Sequence, residues 1–253
     1  MTTLTKLPKP LIDIECKTWR NSHIYLVGGV KYPSVTKVLG IIGGGKTNAL
    51  MIWSRREALK LAQEELFKAL DDKTPITYES VAEMIKRADR QPDKIKDASA
   101  DLGTRVHNAI DAYILGQEPE LDEQSAIGFK NFLSWLERER ITLIAGDTPV
   151  VSVKLGFGGR LDAVGTNDKG DVIILDWKTS NALRDEYPLQ VAGYALAFEE
   201  VYGIRPAGAK VVRFDKEDPT IFEAKPINFD NATAAWHAAL ALNNAMNTPL
   251  WEE

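Results

Sequence analysis

The spacing of apolar residues divides the chain into a helical first half and a strand-rich second half. From Thr47 to about Leu115 the pattern is helical, with Leu50, Trp53, Ala58, Leu59, Leu61 and Leu66 recurring near the 3.6-residue period among Arg55, Arg56, Lys60 and paired glutamates. The run Asp71-Asp72-Lys73-Thr74-Pro75 breaks the first helix. A second is predicted over 79–90, a third from about 92 to 115 ending near Gly116, and a fourth over roughly 123–140. After Ile141 the period drops to two and β-branched residues dominate, predicting strands at 141–145, 149–154, 158–165 and 171–178. A helix over about 187–202 stopped by Gly203, strands near 208–214 and 220–225, and a last helix from Asn231 to about Met246 follow. At the front, residues 1–22 read as an irregular arm. A hairpin comes next, turning at Gly28-Gly29 and closed by Pro33 and Ser34.

This order predicts an α+β protein: a mixed central β-sheet flanked by helices, with a helical N-terminal half. Residues 23–253 read as one domain, in which 23–140 carry the hairpin and helices and 141–253 the sheet core. At 253 residues, 44% hydrophobic, the chain can bury a sizeable core. No apolar run approaches the roughly 20 residues of a spanning helix, and the N-terminus lacks the apolar core of a secretory signal. The expectation is a cytoplasmic protein, in a bacterial or phage-infected cell, without membrane contact. Cys16 is the one cysteine, which excludes an intramolecular disulfide and an all-cysteine iron–sulfur cluster. The net charge of −5 argues mildly against a DNA-coating role but allows a local basic channel.

The chemistry gathers in the second half. Asp168-Lys169-Gly170 reads as a three-residue hairpin loop, and pairing Asn167 with Asp171 sets Asp162 opposite Asp176. Two carboxylates about 5 Å apart repel unless a cation or shared proton intervenes. Lys178, two residues on, shares the face of Asp176, while Trp177 points to the other side. Val172 to Leu175 is apolar on both faces, the mark of a covered central strand, so Asp176 sits where that strand leaves the core. A purely structural Asp–Lys pair at a strand end is the alternative. Gln190 and Tyr194, i and i+4 on a helix, present an amide and a phenol on one face. In the third helix His107 borders the stripe of Leu102, Val106, Ile110 and Tyr113, one turn from Gly103, whose missing side chain permits close approach of another segment.

Taken in order, Gly103-Thr104-x-x-His107, Gly159-x-x-Asp162, Asp176-x-Lys178-Thr179 and Gln190-x-x-x-Tyr194 resemble the RecB-like branch of the PD-(D/E)XK nucleases. Within that branch the chain is most similar to the mitochondrial genome maintenance exonuclease and its phage and bacterial relatives. These also carry a Pro-Ser-Val-Thr segment, here Pro33-Ser34-Val35-Thr36. The resemblance covers roughly residues 24–215. It implies a restriction-endonuclease-like fold and a metal-dependent nuclease, more an exonuclease than an endonuclease, acting on single-stranded DNA in replication, recombination or repair. It also implies one or two Mg²⁺ or Mn²⁺ ions held by His107, Asp162, Asp176 and the Trp177 carbonyl. Asp162, Asp176 and Lys178 would be catalytic. Gln190, Tyr194, Thr179, Arg105 and Arg160 would support the site or contact nucleic acid, and Trp53, Arg55, Arg56 and Arg184 extend the candidate strand path. A helicase or recombinase partner fits the same picture. Where the family often has a glutamate before the Gly-x-x-Asp motif, this chain has Asp147.

Two other readings remain. Gly40-Ile41-Ile42-Gly43-Gly44-Gly45-Lys46-Thr47 satisfies the phosphate-loop pattern of ATPases. Such a loop needs a buried strand directly before it, and Ser34 to Leu39 is too polar for one. A nuclease fold used only to bind DNA is the second, but it has no need of Lys178 at that spacing.

Overall fold

A computed structural model describes residues 4–19 and 22–248. The chain divides into two compact units, one comprising residues 1–41 and 103–253, the other 42–102. In the first unit a five-stranded sheet runs in the order β4 (Thr142–Ser152), β5 (Phe157–Thr166), β6 (Val172–Lys178), β7 (Gly208–Phe214), β8 (Phe222–Pro226). The β6–β7 pair is parallel and the other neighbours antiparallel. Helix α5 (Glu186–Tyr202) makes the crossover that a parallel pair requires.

Both faces of the sheet are covered, as the unbroken apolar run of β6 demands. On one face Val172 and Ile174 pack with residues of α1 (Val35–Leu39), α5 and α6 (Phe229–Met246) in a single buried cluster. On the other face, Phe132 and Trp135 of α4 (Glu123–Glu139) meet Trp177 and Phe214. Trp135 and Trp177 cross edge-to-face with centroids 5.1 Å apart. Trp177 and Asp176 therefore leave β6 in opposite directions.

A small antiparallel sheet, β1 (Glu15–Trp19), β2 (Ser22–Val27) and β3 (Val30–Tyr32), precedes the helices. It is tied to β5 where Gly158 N–H donates to the Pro33 carbonyl at 2.9 Å. Ser34 then caps α1, accepting from the Lys37 N–H at 3.1 Å, and Val35 is fully buried beneath it.

The second unit contains α2 (Gly44–Asp71) and the first part of α3 (Tyr78–Ile114). Arg87 of α3 forks onto Glu65 of α2 at 2.7 and 2.9 Å. Among the described residues no helix is long and apolar enough to cross a membrane.

Three local expectations are corrected. Residues 15–19, read as irregular, form β1, because a polar five-residue edge strand gives no alternation to recognise. The break expected before Pro92 is absent, and α3 runs through it. Proline removes one helical hydrogen bond and strains the preceding turn, but the buried positions Ala88 and Pro92 continue the apolar stripe across it. The separate strands at 141–145 and 149–154 are one strand, β4, with a register shift between Leu143 and Ala145. Gly146, Asp147 and Pro149 look like a turn, yet β4 is the sheet edge, where a proline without an N–H is tolerated.

Candidate active site

Strands β5 and β6 deliver the two carboxylates. The hairpin between them closes as the sequence predicts, with Asn167 N–H on the Asp171 carbonyl at 3.1 Å and Gly170 at φ 80°. The ladder ends at the pair Ala163–Leu175, and Asp162 and Asp176 are the next residues beyond it, close enough that each charge acts on the other. Asp162 is fixed from the neighbouring strand, its Oδ2 accepting the Trp177 N–H at 2.7 Å. Lys178 Nζ lies 2.5 Å from Asp176 Oδ2, and its ammonium stands 4.9 Å from the Tyr187 ring centroid.

Helix α3 brings His107 to the opposite side, with Nδ1 at 3.5 Å from Asp162 Oδ1. The approach depends on Gly103, where a Cβ would come within 2.9 Å of the Thr179 hydroxyl. Gly-Thr-x-x-His and Asp-x-Lys-Thr are thus two sides of one contact. Gly159 serves a similar end on β5: a Cβ there would overlap the Tyr194 ring. Tyr194 accepts a hydrogen bond from Gln190 Nε2 at 2.8 Å, joining the α5 pair as the i, i+4 spacing predicts.

A cleft of about 580 Å³ opens over these groups, lined among others by His107, Asp162, Arg160, Gly159, Tyr194 and Tyr25. Asp162 reaches the cleft wall, whereas Asp176, 1% exposed, and its partner Lys178 are not among the lining residues. Two further carboxylates line the cleft. Asp111 stands one turn beyond His107 on α3, and its i, i+4 spacing from that histidine is the sequence signal that marks it. Asp147 holds Arg160 Nη1 at 2.8 Å and is bracketed by the pairs Gly146–Ala163 and Thr148–Leu161, opposite Asp162. Its φ of 42° is left-handed for a non-glycine residue, a conformation costing on the order of 1–3 kcal/mol.

Of the other sequence candidates, Thr179 sits against Gly103, and Arg160 enters the cleft. Arg105 points to Asp122 and Gln124 of the α4 N-terminus instead of lining the cleft. Arg184 lines a separate pocket of about 210 Å³ with Lys225. Trp53, Arg55 and Arg56 belong to α2 in the second unit. The phosphate-loop pattern falls on a 3-10 turn, Gly40–Ile42, and the first turn of α2, after helix α1 and with no preceding strand. That backbone is not a phosphate loop.

Electrostatics separates the carboxylates. Burial pushes Asp176 up to about 6, with the charge of Asp162 adding and Lys178 opposing. Burial also works to raise Asp162, but His107, Lys178 and the Trp177 N–H together hold it below the ordinary carboxylate value. Burial disfavours the charged form of His107, and Asp162 overrides it, leaving the imidazole above its usual value. Asp111 rises to about 7 through burial and the nearby charge of Asp147. Tyr194 is raised well above its ordinary value by burial, so its phenol stays neutral.

Among the described residues Asp176 Oδ1 is buried and accepts no hydrogen bond, and Oδ2 has the ammonium of Lys178 against it. An orphaned buried carboxylate oxygen beside a second carboxylate and an imidazole is the donor chemistry of a divalent cation. Among the described residues no three such side chains stand as a ready-made cage. Asp162 is engaged by His107 and Trp177, and Asp176 by Lys178.

A family model described as the PD-(D/E)XK nuclease superfamily matches residues 126–248. Nothing among curated protein sequences matches the chain. Two solved structures are distantly similar. One, named as a candidate exonuclease from Eubacterium rectale, is 13% identical with a TM-score of 0.42, over 57% of this chain and 65% of that one. This chain thus spans less than two thirds of that protein's length. The other, SSO0001, is 16% identical with a TM-score of 0.34, over 83% of this chain and 89% of that one. The segment 126–248, just under half of the chain, is thus similar to the PD-(D/E)XK nuclease superfamily, and its five-stranded mixed sheet flanked by helices is consistent with the restriction-endonuclease-like fold.

Proposed function

We propose that the protein is a metal-dependent deoxyribonuclease of the RecB-like branch, acting as an exonuclease on single-stranded DNA. The observation that carries this reading is the convergence of two ion-paired carboxylates, Asp162 with His107 on the cleft wall and the buried Asp176 with Lys178 close behind it. His107, Asp162, Asp176 and the Trp177 carbonyl are the groups proposed to hold one or two Mg²⁺ or Mn²⁺ ions. A bound ion supplies Lewis acidity at the scissile phosphate and a water of lowered pKa.

The chain's own residues do the rest. Lys178, held by Asp176 and the Tyr187 ring, offsets negative charge that grows on the phosphate oxygens as the bond breaks. Trp177 N–H fixes the Asp162 carboxylate so that it need not reorganise. Tyr194 and Arg160, on the cleft wall, offer a neutral phenol and a guanidinium to the nucleic-acid backbone. The four motifs in family order support the single-strand exonuclease reading and a place in replication, recombination or repair beside a helicase or recombinase.

The test is cleavage of end-labelled single- and double-stranded DNA in Mg²⁺, Mn²⁺ or EDTA, with and without ATP. The expected result is metal-dependent, ATP-independent shortening of single strands, absent in a folded Lys178→Ala protein. Turnover retained in that variant, or a dependence on ATP, would overturn the assignment.

A further inference from the structure

We propose that the chain forms a two-fold homodimer by antiparallel pairing of α2 with α2 of a second copy. This inference rests on the unit 42–102 alone and is independent of the nuclease reading.

Helix α2 is apolar on two faces. One carries Ala58, Leu61 and Ala62, partly buried, with Glu65 pinned by Arg87. The other carries Ile52, Leu59, Leu66 and Leu70. At 100° per residue these four fall within about 40° of one another round the helix axis. Ile52, Leu59 and Leu66 recur every seven residues, the spacing of a helix–helix seam. All four are between 37% and 63% exposed, and the exposed side chains of Met51 and Phe67 flank them.

The unit has little else to hold it. Among its described side chains only Ala69, Ala88, Pro92 and Leu102 are buried. Long helices with so little packing are marginal in water, so the open face calls for a cover. Taking roughly 180 Å² for a large apolar side chain, the six exposed residues offer on the order of 570 Å². That is at the top of the range of about 300–600 Å² for the largest patch on a monomer. Doubled by a two-fold axis, it approaches the lower limit of about 1,200 Å² for a specific interface before any polar rim is counted.

Charge selects the occupant and the orientation. Up to Lys60 the helix is basic, with Arg55, Arg56 and Lys60 against Glu57. Beyond it the helix is acidic, with Glu64, Glu65 and Asp71 against Lys68. A second copy laid antiparallel sets each basic half on an acidic half, whereas a parallel copy sets like on like. With Leu59 against Leu66 of the second copy, Arg56 falls beside its Asp71. Within one chain these two are fifteen residues apart, about 22 Å along the helix.

Sedimentation equilibrium of the full chain at increasing concentration tests this. The expected mass is twice the 28.1 kDa of one chain. Leu59→Glu combined with Leu66→Glu should raise the dissociation constant at least roughly 100-fold with helix content unchanged. Arg56→Glu should weaken association about tenfold, and adding Asp71→Lys to it should restore the wild-type value. That rescue cannot arise inside one helix, so it holds the proposal to account even if the leucine variant folds poorly. A monomer at every concentration, a trimer or larger assembly, a dimer indifferent to the leucine changes, or a failed charge rescue would each overturn it.

Discussion

Replacing Asp176 by asparagine removes a buried charge and keeps the side-chain shape. The direction of the effect on stability follows from the displaced pKa, from 3.8 to about 6. The folded state binds the proton more tightly than the unfolded chain does. Stability contributed by this group is therefore fully present below pH 3.8 and is lost as pH rises towards 6. At 1.36 kcal/mol per pH unit, the ionised carboxylate costs the metal-free fold about 3 kcal/mol at pH 8. That figure already includes the favourable pull of Lys178, since the ammonium is one of the influences on the pKa. Asparagine mimics the protonated acid, so Asp176→Asn should be more stable than wild type by about 2–3 kcal/mol at pH 8 in EDTA. The gain should vanish near pH 4. Urea denaturation followed by circular dichroism at both pH values measures it. A variant no more stable than wild type at pH 8, or one whose advantage persists unchanged at pH 4, would refute the reasoning. Mg²⁺ or Mn²⁺ should stabilise wild type and leave this variant unmoved, and the variant should not cleave DNA. On the proposed function, stability is given up here for a charge that would hold the cation.

Three further outcomes can be checked. Asp111→Asn should also stabilise the metal-free protein at alkaline pH and not at acid pH, because the folded pKa lies near 7; since the group is partly exposed, about 1–2 kcal/mol is expected in urea titrations. Gly159→Ala should destabilise by about 1–3 kcal/mol through overlap with the Tyr194 ring, and pairing it with Tyr194→Leu should recover part of the loss; additive costs in the double variant would remove the contact as the cause. Trp177→Ala should cost about 3–5 kcal/mol by opening a cavity against Phe132, Trp135 and Phe214, whereas a loss under 1 kcal/mol in thermal or urea unfolding would contradict the aromatic packing described.

The sequence by itself determined those features in which the signal is local. The turn at Asp168-Lys169-Gly170 sets the register of two strands, and register alone brings Asp162 beside Asp176. A period of two puts Lys178 on the face of Asp176, and a period near four puts Gln190 under Tyr194. Helices with clear stop and start signals, such as α4 behind Asp122 and α5 before Gly203, are legible to within a residue or two. The tertiary structure decided what depends on partners distant in the chain. β4 continues through Gly146, Asp147 and Pro149 because β5 supplies a ladder, which no local propensity records. Likewise β1 exists because β2 pairs with it. Asp111 joins the cleft, and Arg105 leaves it for Asp122, according to how α3 lies against β5 and α4. Spacing along the chain names the groups that share an element's face. Only packing fixes which faces meet: burial there raises the pKa of both carboxylates, and the partners met, His107, Lys178 and the Trp177 N–H, pull Asp162 alone below the ordinary value while Asp176 stays above it.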